Sequence, residues 1–135
     1  MMEDYTGGIY TKFGENAGKI WIALNGKNPL CKKDVMEIAH LTDSDFHTAV
    51  GWLARENKIA KDDKGCYKLD TTNLTSKIGI TAGRVWKIMD IWGDVEFSTI
   101  TRLADVDSED VYTALGWLAR ENKIRINEKQ KYDLK

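Results

Sequence analysis

Gly51-Trp52-Leu53-Ala54-Arg55-Glu56-Asn57-Lys58-Ile59 recurs letter for letter as Gly116-Trp117-Leu118-Ala119-Arg120-Glu121-Asn122-Lys123-Ile124. From this block the register extends in both directions without a gap, so that residues 12–70 align on residues 77–135 at a constant offset of 65. Ala17-Gly18-Lys19-Ile20-Trp21 meets Ala82-Gly83-Arg84-Val85-Trp86, and Tyr67 and Leu69 meet Tyr132 and Leu134. Identity of this length, in register and flanked by further matches, marks a duplication. The chain therefore divides into a first unit, residues 1–72 with a short N-terminal extension, and a second unit, residues 73–135. Units this small gain stability by burying surface against a neighbour. The link from Asp70 to Ser76 is short and holds neither Pro nor Gly, so the halves are expected to pack together.

Hydrophobic spacing gives both units the same order of elements. A first helix is expected to open at Asn16 and at Thr81, both good cap residues. It closes near Asn25-Gly26 and Ile91-Trp92-Gly93, where Gly suits a left-handed ending. Ile20, Ala23 and Leu24, and in the second copy Val85, Ile88 and Met89, fall on one helical face. Trp21 and Trp86 are placed on that core side too. A short extended piece follows (Pro29-Leu30; Val95-Glu96-Phe97). Next comes a second helix with Val35, Ile38 and Ala39 inward, matched by Ile100, Leu103 and Ala104. The third and longest helix starts behind Thr42 with Asp45 three residues on, and behind Asp107 with Asp110 three on, which resembles a capping box. Its core stripe is Phe46, Ala49, Val50 and Leu53, mirrored by Val111, Ala114, Leu115 and Leu118. After Ile59 and Ile124 the pattern alternates, as in a strand, a charged loop and a returning strand. The order is α+β: two tandem winged helix-turn-helix domains, each of three helices and a β-hairpin wing.

The G-W-L-A-R-E-N-K-I block just before the wing, with A-G-[KR]-[IV]-W in the first helix, resembles an uncharacterised family of small prokaryotic winged-helix proteins. Its members are mostly single domains, here present as a tandem duplication. The resemblance covers both repeats and implies the fold. Tandem winged helices are also similar to transcription regulators and to scaffold subunits, an analogy of fold alone.

Composition narrows the function. No apolar run approaches the roughly 20 residues that span a bilayer, and the N-terminus lacks a basic region followed by an apolar core. The expected location is cytoplasmic, with no membrane partner. Cys31 and Cys66 stand in unlike contexts and are expected to be reduced thiols. Lys and Arg total 20 against 21 Asp and Glu, a formal charge of −1, whereas dedicated DNA readers are commonly basic.

Helix three would be the groove reader in a DNA-binding protein. Its first turns carry Asp43, Ser44, Asp45 and His47, or Ser108, Glu109, Asp110 and Tyr112. Acids there complement the helix dipole and repel phosphate. The better candidates for nucleic-acid contact are Lys61 and Lys64 in the first wing, Lys123, Arg125, Lys129 and Lys131 in the second, and Lys32 and Lys33 at the start of helix two. On the outward side of helix three, Thr48, Gly51, Trp52 and Arg55 recur as Thr113, Gly116, Trp117 and Arg120. A mid-helix Gly costs up to about 1 kcal/mol relative to Ala, which makes sense where another backbone comes close. Those eight residues are a candidate interface, repeat against repeat; in the other reading each Trp folds back onto its own wing or first helix. His40 and His47 with Asp43, Asp45 and Cys31 lack the spacing of a metal motif, and the second copy carries Asp105, Tyr112 and Glu96 in place of the two histidines and Cys31. Neither a metal nor a cofactor is expected, and no nucleophile or phosphate loop points to an enzyme. Two readings stay open: a winged-helix regulatory protein binding duplex DNA weakly through its wings, or a protein-interaction scaffold using the helix-three faces.

Overall fold

A computed structural model of the chain describes residues 3–135, with side chains from residue 8 onward. The first repeat comprises α1 (Glu3–Leu24), α2 (Lys32–Ala39), α3 (Asp43–Arg55), β1 (Ile59–Lys61) and β2 (Tyr67–Leu69). The second comprises α4 (Thr75–Trp92), α5 (Phe97–Ala104), α6 (Ser108–Arg120), β3 (Ile124–Ile126) and β4 (Tyr132–Leu134). In each wing the strands pair antiparallel, Ile59 with Leu69 and Ile124 with Leu134. The extended piece after the first helix adds one further bridge to each, Leu30 to Tyr67 and Val95 to Tyr132. Helix, bridge, helix, turn, helix, hairpin is the winged helix-turn-helix order, present twice.

The cores superpose by the offset of the repeat. Ile20, Val35, Phe46 and Ile59 are wholly buried in the first unit, and Val85, Ile100, Val111 and Ile124 stand in their places in the second. Both sets belong to one continuous apolar cluster. Asn57 and Asn122, just past α3 and α6, take left-handed φ of 62° and 59°, which Asn tolerates better than most residues. The Asn57 side chain then accepts a hydrogen bond from the Thr72 backbone N–H at 2.9 Å, and Asn73 holds the Lys61 backbone through both ends of its amide. The link between the repeats is thereby fastened to the first wing.

Five local expectations need correction. The first helix begins well before Asn16 and Thr81. Asn16 is buried inside α1, and the Thr81 hydroxyl donates to the Lys77 carbonyl within α4. Within α1, a Cβ on Gly14 would lie 3.0 Å from the Trp52 ring, so the missing side chain admits the indole. Trp21 and Trp86 are 40% and 37% exposed; their neighbours Ile20 and Val85 take the core, and the next residue lies about 100° round the helix. Ile38 likewise points outward, with Val35 filling the core beneath α2. Thr42 caps α3 by accepting from the Asp45 N–H, but Asp107 makes no such bond, since its own backbone carbonyl takes the Asp110 N–H. Finally, Cys31 and Cys66 form a disulfide. They flank the Leu30–Tyr67 bridge, whose two hydrogen bonds bring the neighbouring residues together. The equivalent sites in the second repeat hold Glu96 and Lys131, so the cross-link belongs to one repeat alone.

Candidate functional site

The two copies of helix three pack against each other, like ends together, and glycine sets how closely. A Cβ on Gly51 would overlap the backbone carbonyl of Thr113, with its carbon at 2.8 Å; a Cβ on Gly116 would overlap that of Thr48, at 2.7 Å. Thr48 is buried with both glycines. Only two bare backbones fit at this crossing, and the two contacts are related by exchange of the repeats.

Beyond the crossing the same exchange governs the side chains. Arg55 Nε donates to Glu121 Oε2 at 3.0 Å, and Arg120 Nε donates to Glu56 Oε2 at 2.9 Å. Arg55 also lies over the Trp117 ring, 5.6 Å from its centroid, and Arg120 over Trp52 at 5.7 Å. Each indole rests at the same time on its own first helix. Trp52 meets Gly14 and the edge of Tyr10, and Trp117 reaches toward Gly79. The two arrangements open for these tryptophans therefore coexist. Gly, Trp, Arg and Glu of the repeated block all work at this seam, which accounts for their recurrence: a face that binds its own copy must be written the same way twice.

At the N-terminal ends the exchange fails. Lys32 forms an ion pair with Asp43, and its Nζ donates to Glu109 Oε2 of the other repeat at 3.0 Å. His47 lies beside them, 6% exposed, with Nε2 3.8 Å from Asp43 Oδ1 and 3.6 Å from Glu109 Oε2. Nε2 is buried and has no hydrogen-bond partner among the described residues. Burial, reinforced by the Lys32 charge, holds the imidazole below its ordinary pKa. The hydrogen bond from Lys32 lowers the Glu109 carboxyl, and the bond to Asp43 raises Lys32. Across the pseudo-dyad the positions of Lys32, Asp43, His47 and Glu109 are taken by Phe97, Ser108, Tyr112 and Ser44. There, Phe97 and Tyr112 stack with centroids 4.1 Å apart.

The eight candidate interface residues, Thr48, Gly51, Trp52, Arg55, Thr113, Gly116, Trp117 and Arg120, thus lie along one seam. The candidate nucleic-acid contacts do not gather in the same way. Lys32 is engaged at the acidic end of the seam, Lys123 pairs with Glu121, and Arg125 pairs with Asp133 across its own hairpin. Lys61 lies over the Tyr67 ring. Lys33, Lys64, Lys129 and Lys131 have no ion-pair partner among the described residues. The Lys32–Asp43–His47–Glu109 cluster was not legible from spacing, because Glu109 comes from the far repeat. Glu56 and Glu121 were missed too, although they sit inside the repeated block.

Comparison with protein families matches residues 2–68, and again residues 73–134, to a family described as a winged helix-turn-helix domain (DUF2582). Neither the curated proteins nor the solved structures gave a match. Among the described residues no helix is long and apolar enough to cross a membrane.

Proposed function

The chain belongs to the winged helix-turn-helix domain family, and on that premise we propose a non-enzymatic regulatory protein that touches duplex DNA through its wings while its two recognition helices stay locked together. The observation that carries this reading is the glycine crossing of α3 and α6. A recognition helix reads base edges from inside the major groove, and here the helix-three faces are spent on each other. Acidic first turns, Asp43 and Asp45 in α3 and Glu109 and Asp110 in α6, oppose phosphate at the remaining exposed end. What is left for DNA is the set of wing lysines, above all Lys64, Lys129 and Lys131, with Lys61 and Lys33 in support. Contacts of that kind neutralise phosphates and carry no base information.

Fluorescence anisotropy with a random duplex tests the reading. Binding should be weak, in the non-specific range of roughly 10⁻⁴ to 10⁻⁶ M at physiological salt. If about four phosphates are neutralised, affinity should fall on the order of 100-fold between 50 and 200 mM salt. Replacing Lys61, Lys64, Lys129 and Lys131 with Ala should weaken it further, whereas Ala at Ser44 or Ser108 should not. Sequence-selective binding at roughly 10⁻⁸ M or tighter would overturn the proposal. A second reading, a protein-interaction scaffold, has its own observation. Trp21, Ile22, Ile91 and Trp92 on the first helices are exposed, Ile22 by 71% and Trp92 by 62%. Absence of any DNA binding at low salt would favour that reading, with the outer faces of α1 and α4 as its surface in place of helix three.

A further inference from the structure

We propose that Asp43, His47 and Glu109 form a divalent metal site of the zinc class, which clips the first repeat to the second. The reading is independent of any DNA contact. An Asp and a His one turn apart on α3 face a Glu from the first turn of α6, and one ligand atom from each lies within 4.8 Å of the others. Zn–N and Zn–O bonds of about 2.1 Å in a tetrahedral site place ligand atoms about 3.4 Å apart. The His47 Nε2 distances to the two carboxylates, 3.6 and 3.8 Å, are within a few tenths of an ångström of that edge. They are too long for hydrogen bonds, so Nε2 stands at ligand spacing from both carboxylates without being satisfied by either.

His47 is the observation that separates this cluster from an ordinary acidic patch. Its side chain is 8% exposed, and the buried Nε2 has no hydrogen-bond partner among the described residues. An orphaned buried nitrogen costs about 1–3 kcal/mol and calls for an explanation. The bias toward the neutral ring leaves its lone pair available to a metal. Lys32 acts as the resident cation. Its ammonium bonds both carboxylates but cannot give Nε2 the Lewis acid that nitrogen lacks. The Lys32 side chain is 33% exposed on a flexible stem, so it can swing out as the ion enters. Asp43 and Glu109, half exposed, leave the entrance open, with water filling the fourth position.

The test uses the full chain without an affinity tag. Calorimetric titration with Zn²⁺ should show one ion per chain, and Co²⁺ substitution should give visible d–d absorption typical of a tetrahedral nitrogen–oxygen site. Losing an outer partner of a metal ligand costs about 10–100-fold in affinity. Losing a ligand itself, in Glu109→Gln or His47→Ala, should therefore weaken binding at least tenfold. Lys32→Gln should tighten it, because the competing cation is gone. Glu109→Gln alters an exposed group and keeps the test informative if His47→Ala fails to fold. The proposal is overturned if the parent takes up no ion, even should Lys32→Gln do so, or if uptake is unchanged in Glu109→Gln.

Discussion

Replacing Gly51 or Gly116 with Ala puts the α3–α6 seam to its sharpest test. In an open helix this change stabilises, by up to about 1 kcal/mol, since Ala restricts the unfolded chain and suits the helix. At these two sites the new Cβ would stand 2.8 or 2.7 Å from a backbone carbonyl carbon, where ordinary contact begins at 3.4 Å. Backbone cannot rotate aside as a side chain can, so the helices must separate by more than half an ångström. A gap of 0.5–1 Å forfeits a quarter to a half of each dispersion contact along the seam, and overpacking of this kind costs about 1–3 kcal/mol. Taking the upper end and subtracting the propensity gain leaves a net loss of about 2 kcal/mol for either substitution. Urea denaturation followed by circular dichroism should show it as a midpoint lowered by about 1 M for an m-value near 2 kcal/mol/M. Gly18→Ala and Gly83→Ala supply the control, since a Cβ at either meets nothing within 4 Å; both should raise the midpoint. Gly51→Ala and Gly116→Ala proteins as stable as the parent would refute the packing described here.

Three further outcomes are expected. Residues 1–72 and 73–135 expressed apart should each be less stable than the whole, which should itself unfold in one cooperative transition; fragments as stable as the parent would show that the seam contributes nothing. Reduction of Cys31–Cys66, or Cys31→Ser, should cost about 2–4 kcal/mol, the range for a loop closed over the 35-residue separation, and denaturation unaffected by a reductant would contradict it. Stability should fall as pH drops below the ordinary histidine value of 6.5. His47 is held low by burial, so the unfolded chain takes up the proton first. Its contribution is complete above that pH and lost on acidification, and His47→Gln should flatten this part of the pH profile.

The sequence disclosed most of the fold because the core obeys period. Phe46, Ala49, Val50 and Leu53 recur as Val111, Ala114, Leu115 and Leu118, and every one is buried. Glycine was harder to read, since it serves unlike ends. Gly26 and Gly93 follow helices with positive φ, while Gly14 lies within one to make room for Trp52. The start of α1 was misplaced for another reason: Asn16 has the chemistry of a cap but is buried in mid-helix. Long-range facts stayed hidden for geometric reasons. The cystine depends on a bridge between Leu30 and Tyr67, and the acidic end of the seam on Lys32 and Glu109, which are 77 residues apart. Neither distance leaves a periodic trace. The basic wing residues were visible in the sequence, but the pairing of Lys123 with Glu121 and of Arg125 with Asp133 was not.

The broken exchange at the N-terminal ends of α3 and α6 has a consequence for how such a seam can change. In a homodimer closed by a two-fold axis, every substitution near the axis appears twice, so a lysine facing a glutamate on one side must do so on the other. Fusing the copies removes that constraint. A short tether also holds each half before the other at an effective concentration of order millimolar, so association no longer depends on how much protein is present. One side of the pseudo-dyad is then free to keep an aromatic stack, Phe97 on Tyr112, while the other gathers Lys32, Asp43, His47 and Glu109. A single polar cluster of this composition, at a contact otherwise built twice, is available to a tandem chain and closed to a symmetric pair of identical subunits.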